Sequence, residues 1–218
     1  MDVLILSKTY MNGGKCCVGG MTGNGRYVRL LTGGGENQPE NTDLKPRQVW
    51  KIEFIERVDT NPPHVEDVLI QSKALKDEIK IVDFIKQRKI PIWQGSPDKL
   101  FDELIKWTSS GSGYINREAI PGHSVGFWIS DRDLTKKEFN GIRYSYPNPN
   151  GWRSMKFVGF ETPAEKIPAG TLLRVSLARW WQQDENTEER CYLQLSGWYD
   201  FNEPNNTTDP DVSDELPF

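Results

Sequence analysis

Cysteine and histidine are scarce in this chain, which limits the metal and redox chemistry that it can carry. The 218 residues include three cysteines and two histidines. Cys16 and Cys17 are adjacent, so in a strand they would point to opposite faces, and no cysteines or histidines have the spacing of a zinc site. A low, odd number of cysteines is typical of a reducing cytoplasm. The sequence therefore predicts a cytoplasmic protein without a metal or other cofactor.

Long apolar runs are also missing, which excludes the membrane-spanning classes of protein. No stretch approaches the roughly 18 apolar residues that a transmembrane helix needs. The N-terminal residues lack the basic region and the following apolar region of a signal peptide. We therefore expect no membrane among the partners of this chain.

The chain also lacks a surplus of positive charge. The formal charge is −4, and six of the 31 acidic residues lie in residues 200–218, where Lys and Arg are absent. Residues 1–199 therefore hold 25 acidic and 27 basic residues. A body so close to neutral excludes a uniformly basic nucleic-acid binder, so such binding would depend on local patches.

Short segments of alternating apolar and polar residues, separated by glycine-rich turns, make up most of the chain. This pattern predicts two sets of short strands, which is typical of β-barrels or sandwiches. Residues 3–6 are continuously apolar, which predicts a strand covered on both faces. Apolar residues recur at helical spacing over residues 73–89 and predict a helix there. Ser96 and Pro97 predict the start of a second short helix that ends near Trp107.

These patterns also predict how the chain is divided. The Ser- and Gly-rich run at residues 108–113 predicts a linker. The predicted fold class is mainly β with a short helical insert. We predict a first barrel over residues 1–72, a helical connector over 73–108, a second barrel over 109–200 and a flexible acidic tail over 201–218.

Residues that could carry catalysis are few. His64, Glu66 and Asp67 lie in one short segment, and in a strand His64 and Glu66 would share a face. A hydrolase would require these groups to converge with His123 in a cleft, and nothing else in the sequence completes such a site. The glycine-rich stretches lack the motifs of phosphate-binding and dinucleotide-binding loops. The sequence predicts that the protein is not an enzyme, with the hydrolase as an alternative.

Three C-terminal segments combine aromatic and basic side chains on one face, which is the mixture that binds single-stranded nucleic acid. Alternation along these segments points their aliphatic residues inward. The opposite faces carry the predicted nucleic-acid-binding residues Trp152, Lys156, Arg174, Trp180, Tyr192 and Trp198, and a weaker set, Tyr27 and Arg29, lies in the first half. Alternatively, these faces could form the interface between the two halves of the chain.

The chain ends in Asp214-Glu215-Leu216-Pro217-Phe218, which resembles the C-terminal tip of bacterial single-stranded DNA-binding proteins. In a tip of this kind, Phe218 would fill an apolar pocket on a partner, and its α-carboxylate would bind an Arg or Lys at the pocket rim. Asp214 and Glu215 would meet a surrounding basic patch. We predict that the tip recruits DNA-processing proteins that read such tails.

Segments near both ends of the body carry a second resemblance. They read VLILSK at 3–8, GGKCCVGG at 13–20, RYVRLL at 26–31, LRVSL at 173–177 and CYLQL at 191–195. These segments resemble the bacterial dual OB-fold proteins, which are often linked to mobile elements and to anti-phage conflict systems. The resemblance implies two OB-like β-barrels and recognition of nucleic acid, with no catalytic residues to carry over.

Beside the hydrolase alternative, two non-catalytic hypotheses of function follow from the sequence. The first is a binder of single-stranded nucleic acid, with DNA favoured over RNA, whose tip recruits partners. The second is a protein-interaction or decoy module that competes for the readers of single-strand-binder tails. The near-neutral charge of residues 1–199 favours the second, and the aromatic and basic strand faces favour the first.

Overall fold

The computed structural model describes residues 1–149 and 151–201, and within them β-strands dominate. The first six strands are β1 (Asp2–Met11), β2 (Lys15–Thr22), β3 (Tyr27–Leu31), β4 (Gln38–Pro39), β5 (Gln48–Glu56) and β6 (Asp67–Glu78). The later ten are β7 (Ile92–Gly95), β8 (Lys106–Trp107), β9 (Gly113–Asn116), β10 (Val125–Ser130), β11 (Leu134–Glu138), β12 (Ile142–Asn148), β13 (Gly151–Phe157), β14 (Lys166–Ile167), β15 (Leu172–Leu177) and β16 (Arg190–Tyr199). One helix, α1 (Ile81–Gln87), lies between the two sets. In the part of the chain that is described, no helix is long and apolar enough to cross a bilayer.

The first set of strands closes into a barrel. Around it the strands follow the order β1-β2-β3-β6-β5, and β5 pairs again with β1. The β3–β6 pairing is parallel and the others are antiparallel. This closed five-stranded Greek-key arrangement is the OB fold. Val3 and Ile5 point into the barrel, whereas Leu4 and Leu6 pack outside it against α1 and the second barrel, so the prediction of a strand buried on both faces is confirmed.

The second set repeats this order. Strands β10 and β11 are separated only by residues 131–133 and together take the place of β1, since β10 pairs with β15 and β11 pairs with β12. Strands β13 and β16 lie between β12 and β15, and the pairing of β13 with β16 is again parallel. Strand β7 extends the sheet beside β10, and the β8–β9 hairpin is added to β16.

The two predicted helices are largely wrong. Residues 73–78 continue β6, because all of them except Lys76 pair with a residue of β5, and helix begins only at Ile81. Ser96 does cap a turn by accepting a hydrogen bond from the Asp98 N–H, but only a 3₁₀ turn over Pro97–Lys99 follows. The backbone then becomes left-handed at Phe101 and the next two residues, with φ between 50° and 67°, which ends any helix.

The predicted linker at residues 108–113 is instead the turn of the β8–β9 hairpin. The Thr108 N–H donates to the Ser112 carbonyl and the Gly111 N–H donates to the Thr108 carbonyl. Gly111 has a φ of +81° and its backbone lies against Trp152, so a side chain there would be both strained and crowded. The predicted domain boundaries themselves stay predictions.

Three hydrophobic cores stabilise the part of the chain that the structure describes. One fills the first barrel and another fills the second. The third, which we call the shared core, lies between the barrels and is built from both of them and from the connector. Its buried members are Leu4, Leu6, Met21, Val49, Ile81, Val82, Phe84, Ile85, Ile90, Phe127 and Leu172. The shared core therefore fixes one barrel against the other.

Candidate nucleic-acid interface

A row of three basic side chains crosses the outer face of the second barrel. Lys137, Arg143 and Lys156 are direct neighbours across β11, β12 and β13. Arg143 is held in place because its guanidinium donates to Ser154 Oγ at 2.7 Å and to Ser112 Oγ at 2.9 Å. Burial lowers the pKa of Arg143, but a guanidinium remains charged in proteins. Among the described residues none of the three has an acidic partner, so the row presents uncompensated positive charge.

Two exposed aromatic side chains flank this row. Trp152, at the start of β13, is 61% exposed, and Phe139, in the turn between β11 and β12, is 71% exposed. A large apolar ring left in water at the edge of a basic surface is the arrangement that stacks unpaired bases. We call the surface of Lys137, Phe139, Arg143, Trp152 and Lys156 the open face.

The sequence predicted two members of the open face, Trp152 and Lys156, but not the other three. The missed signal is Asn140-Gly141, a dipeptide typical of tight hairpin turns. Both residues have positive φ in the structure. Recognising that hairpin would have placed Lys137 opposite Arg143 and Phe139 at the tip.

The outward orientation predicted for Trp198 is wrong. The pairing of β15 with β16 shifts between Arg174 and Val175, which face Gly197 and Leu195, so β16 contains an extra residue at that point. Such a bulge reverses the alternation of the strand. Trp198 consequently packs on the core of the second barrel, with its ring centroid 5.2 Å from that of Phe157.

Trp180 and Tyr192 lie elsewhere on the second barrel. Trp180 Nε1 donates to the carbonyl of Pro62 at 2.7 Å, and the guanidinium of Arg117 lies 3.7 Å from its ring centroid. Trp180 is therefore part of the contact with the first barrel. Tyr192 is half-buried, and its ring centroid is 6.1 Å from that of Trp181, which is 51% exposed.

In the first barrel the equivalent face is covered. OB folds bind ligands on the face of their second and third strands and on the loops at its edge. Here the β5–β6 loop packs on the second barrel: His64 Nε2 lies 3.1 Å from the Leu177 carbonyl, and Glu66 accepts hydrogen bonds from the N–H and hydroxyl of Ser124 at 2.5 and 2.9 Å. On the other side, Tyr10 stacks on Phe160 with centroids 3.8 Å apart.

A cleft of about 310 Å³ remains between the covered face and the second barrel. Arg174 projects into it from β15 and is only 4% exposed. Gly19 of β2 leaves room for it, since a Cβ there would lie 2.4 Å from Arg174 Nη2. Arg29 also lines the cleft and forms an ion pair with Asp67. The prediction that Arg174 lies on an open surface is therefore wrong.

Tyr27, His64 and His123 are packed against other residues of the fold. Burial raises the pKa of Tyr27, whose ring lies near those of His123 and Phe127. Burial lowers the pKa of His64, although its bond to Leu177 opposes this effect. His123 packs against the ring of Trp93, whereas His64 contacts the carbonyl of Leu177, so the two histidines have different partners. No three His, Cys, Asp or Glu side chains cluster as metal ligands within residues 1–149 and 151–201.

Residues 1–198 match the dual OB-containing domain. The chain belongs to this family. The predicted mainly β fold with two OB barrels is thereby confirmed. No curated protein shows significant similarity to the chain.

Two solved structures match the chain at low similarity. A murine DNA-binding protein solved with double-stranded DNA is 12% identical with a TM-score of 0.29, over 89% of this chain and 91% of that one. The tetrameric p202 HIN2 is 11% identical with a TM-score of 0.27, over 89% of this chain and 92% of that one.

Proposed function

We propose that this dual OB protein is a non-catalytic binder of single-stranded nucleic acid, with DNA as the favoured ligand. The observation that carries the proposal is the open face, where Lys137, Arg143 and Lys156 form an unpaired basic row between two exposed aromatic rings. Cations that track phosphates and rings that stack bases are the two elements of sequence-tolerant single-strand binding.

A single strand suits the open face better than a duplex does. Bases are available for stacking on Trp152 and Phe139 only when they are unpaired. The face also lies on the second and third strands of an OB barrel, the region that admits an extended oligonucleotide in this fold. Charge elsewhere is nearly balanced, so we expect affinity to come from this patch.

The test is a titration of a thirty-nucleotide single strand, as DNA and as RNA, beside the matching duplex. We expect the single-stranded DNA to bind most tightly. If the three basic residues neutralise three phosphates, log K should fall by about 2 for each tenfold rise in salt. Equal binding of strand and duplex, or binding independent of salt, would contradict the proposal.

Charge reversal locates the binding surface. The double variant Lys137→Glu/Lys156→Glu should lose at least about tenfold in affinity, because attraction to phosphate becomes repulsion. Lys45→Glu/Lys51→Glu is the matched control, because it changes the net charge by the same amount and both lysines are exposed on the first barrel, away from the open face. An equal loss in the control would show that net charge, and not the open face, governs binding.

We also propose that the tip, Asp214 to Phe218, recruits proteins that read the tails of single-strand binders. These residues lie outside the described part of the chain, so the proposal rests on their sequence. The protein ending at Phe218 should capture a RecQ-type helicase, and Phe218→Ala should remove most of this capture, because a buried aromatic anchor dominates small interfaces. One extra residue after Phe218 keeps every side chain but moves the carboxylate, and full capture by that variant would contradict the proposal.

The decoy function remains the second candidate, and the covered face of the first barrel favours it. Because the second barrel covers the ligand-binding face of the first, the described residues leave the open face as the single exposed surface of this kind for nucleic acid. If the tip captures its reader while the strand titration shows no binding, the decoy function replaces the first proposal.

A further inference from the structure

We propose that the cleft between the barrels is a second binding site, which takes the phosphate monoester of a single nucleotide and holds it with Arg174. The site is separate from the open face and does not depend on strand binding there. The proposal stands on an unpartnered buried cation, the balance of charge around it, and the size and mouth of the cleft.

Arg174 is a buried cation without a partner. It is 4% exposed, and its Nε is a buried donor that finds no acceptor. Among the described residues, none forms a hydrogen bond or an ion pair with this side chain. A guanidinium cannot lose its proton in a protein, and an uncompensated buried charge destabilises the fold strongly. An anion bound in the cleft would compensate the buried charge and so remove this destabilisation. The N–H donors of the guanidinium also match the geometry of phosphate oxygens.

The other charged groups around the cleft leave positive charge in excess. Arg29, Arg57 and Arg179 all approach one carboxylate, that of Asp67, which is 3% exposed. The Glu66 carboxylate is already bonded to Ser124. Glu161 is a further carboxyl group near Arg174; burial raises its pKa, the charge of Arg174 lowers it, and among the described residues no ion pair joins the two side chains.

The size of the cleft excludes an extended strand. Its volume of about 310 Å³ lies at the lower end of the range for small-molecule sites. Tyr10 lines the cleft and is 56% exposed, with one ring face stacked on Phe160. The remaining face can stack on a base. His64 adds an acceptor, because its Nε2 faces a carbonyl and must carry the proton, which leaves Nδ1 without a partner.

Such a phosphate could belong to a free nucleotide or to the 5′ end of a strand. The probes are therefore AMP, adenosine, inorganic phosphate, and a six-nucleotide DNA with a 5′-phosphate or a 5′-hydroxyl. Isothermal calorimetry and thermal unfolding of the full chain are the readouts. We expect AMP to bind and to raise the melting temperature, and adenosine to do neither. A response to the phosphorylated DNA alone would assign the site to strand ends.

The decisive variant is Arg174→Met, with Lys45→Met as the matched control. Arg174→Met should weaken AMP binding at least about tenfold, because charge-assisted hydrogen bonds to the phosphate are lost. Without ligand it should melt at the same temperature as the wild type or higher, because a buried unpaired charge is gone. The control should match the wild type in both measurements. If Arg174→Met does not fold, Tyr10→Ala at the exposed mouth should still weaken AMP binding several-fold.

The proposal is overturned if neither AMP nor the 5′-phosphorylated DNA binds more tightly than its unphosphorylated counterpart, or if Arg174→Met binds as the wild type does. It is also overturned if Arg174→Met folds but melts well below the wild type without ligand, since Arg174 would then be a structural residue. AMP binding is measured without any strand, so a failure of the open face would leave this test unaffected.

Discussion

The two barrels share one strand order, yet their ligand-binding faces differ completely. In the first, the β5–β6 loop contacts the second barrel through His64 and Glu66, the end of β1 contacts it through Tyr10, and the face becomes the wall of a narrow cleft. In the second, the same face carries an exposed basic row and two exposed aromatic rings. The difference teaches that topology supplies a potential surface, while the packing of neighbouring loops decides whether a long polymer can reach it.

The largest expected effect separates a core tryptophan from one on the surface. Trp198→Ala should lower the free energy of unfolding by about 3 kcal/mol, because a large ring leaves the core of the second barrel. Chemical denaturation measures this change, and Trp152→Ala is the control because Trp152 is exposed. Equal stability of the two variants would show that Trp198 does not pack on the core of the second barrel.

Trp152→Ala tests whether the open face binds a single strand. If its ring stacks on a base, single-strand affinity should fall by roughly 1–3 kcal/mol while stability changes little. Tyr10→Ala, an exposed ring on the covered barrel, should leave binding of a 5′-hydroxyl strand unchanged. If Tyr10→Ala lowers single-strand affinity more than Trp152→Ala does, the strand-binding face is not the open face of the second barrel.

Glu66→Gln tests whether the covering of the first barrel contributes to stability. Its carboxylate bonds twice to buried Ser124, so we expect a loss of about 1 kcal/mol in the free energy of unfolding. Glu53→Gln is the matched control, because Glu53 accepts a hydrogen bond from Ser72 at the surface. A loss no greater than that of the control would mean that the Glu66–Ser124 contact contributes nothing to holding the barrels together.

His64 should make stability depend weakly on pH. Burial holds its pKa below the ordinary 6.5, so below that pH the unfolded chain binds a proton that the folded chain does not. The folded state therefore loses stability as the pH falls below about 6.5, by up to roughly 1.4 kcal/mol for each unit of pKa shift. His64→Gln should flatten the melting temperature between pH 7 and pH 5 relative to the wild type, and parallel curves would contradict the assignment.

The sequence was sufficient for the architecture and for part of the open face. Alternation identified the strands, and the run at residues 3–6 correctly indicated burial on two sides, because Val3 and Leu4 face different cores. It failed at residues 73–78, where helical spacing coincides with a strand that β5 stabilises by pairing. Pairing between distant residues is a tertiary effect that a local pattern does not contain.

The orientation of single side chains was harder to predict. One extra residue in β16 reversed Trp198, and nothing in the local sequence marks that bulge. Arg174 was correctly placed on the face opposite Leu173 and Val175, but the second barrel presents that face to the first. Contacts between barrels depend on the complete fold, so the cleft could not be predicted from strand alternation.

The shared core has a consequence for how such a protein can evolve. Its residues come from both barrels and from α1, so part of the surface that each barrel presents to the other is apolar. A barrel transferred alone into another protein would expose that surface to water and tend to associate with other molecules. The pair is therefore the unit that recombination can move between proteins, even though each half completes an OB fold of its own.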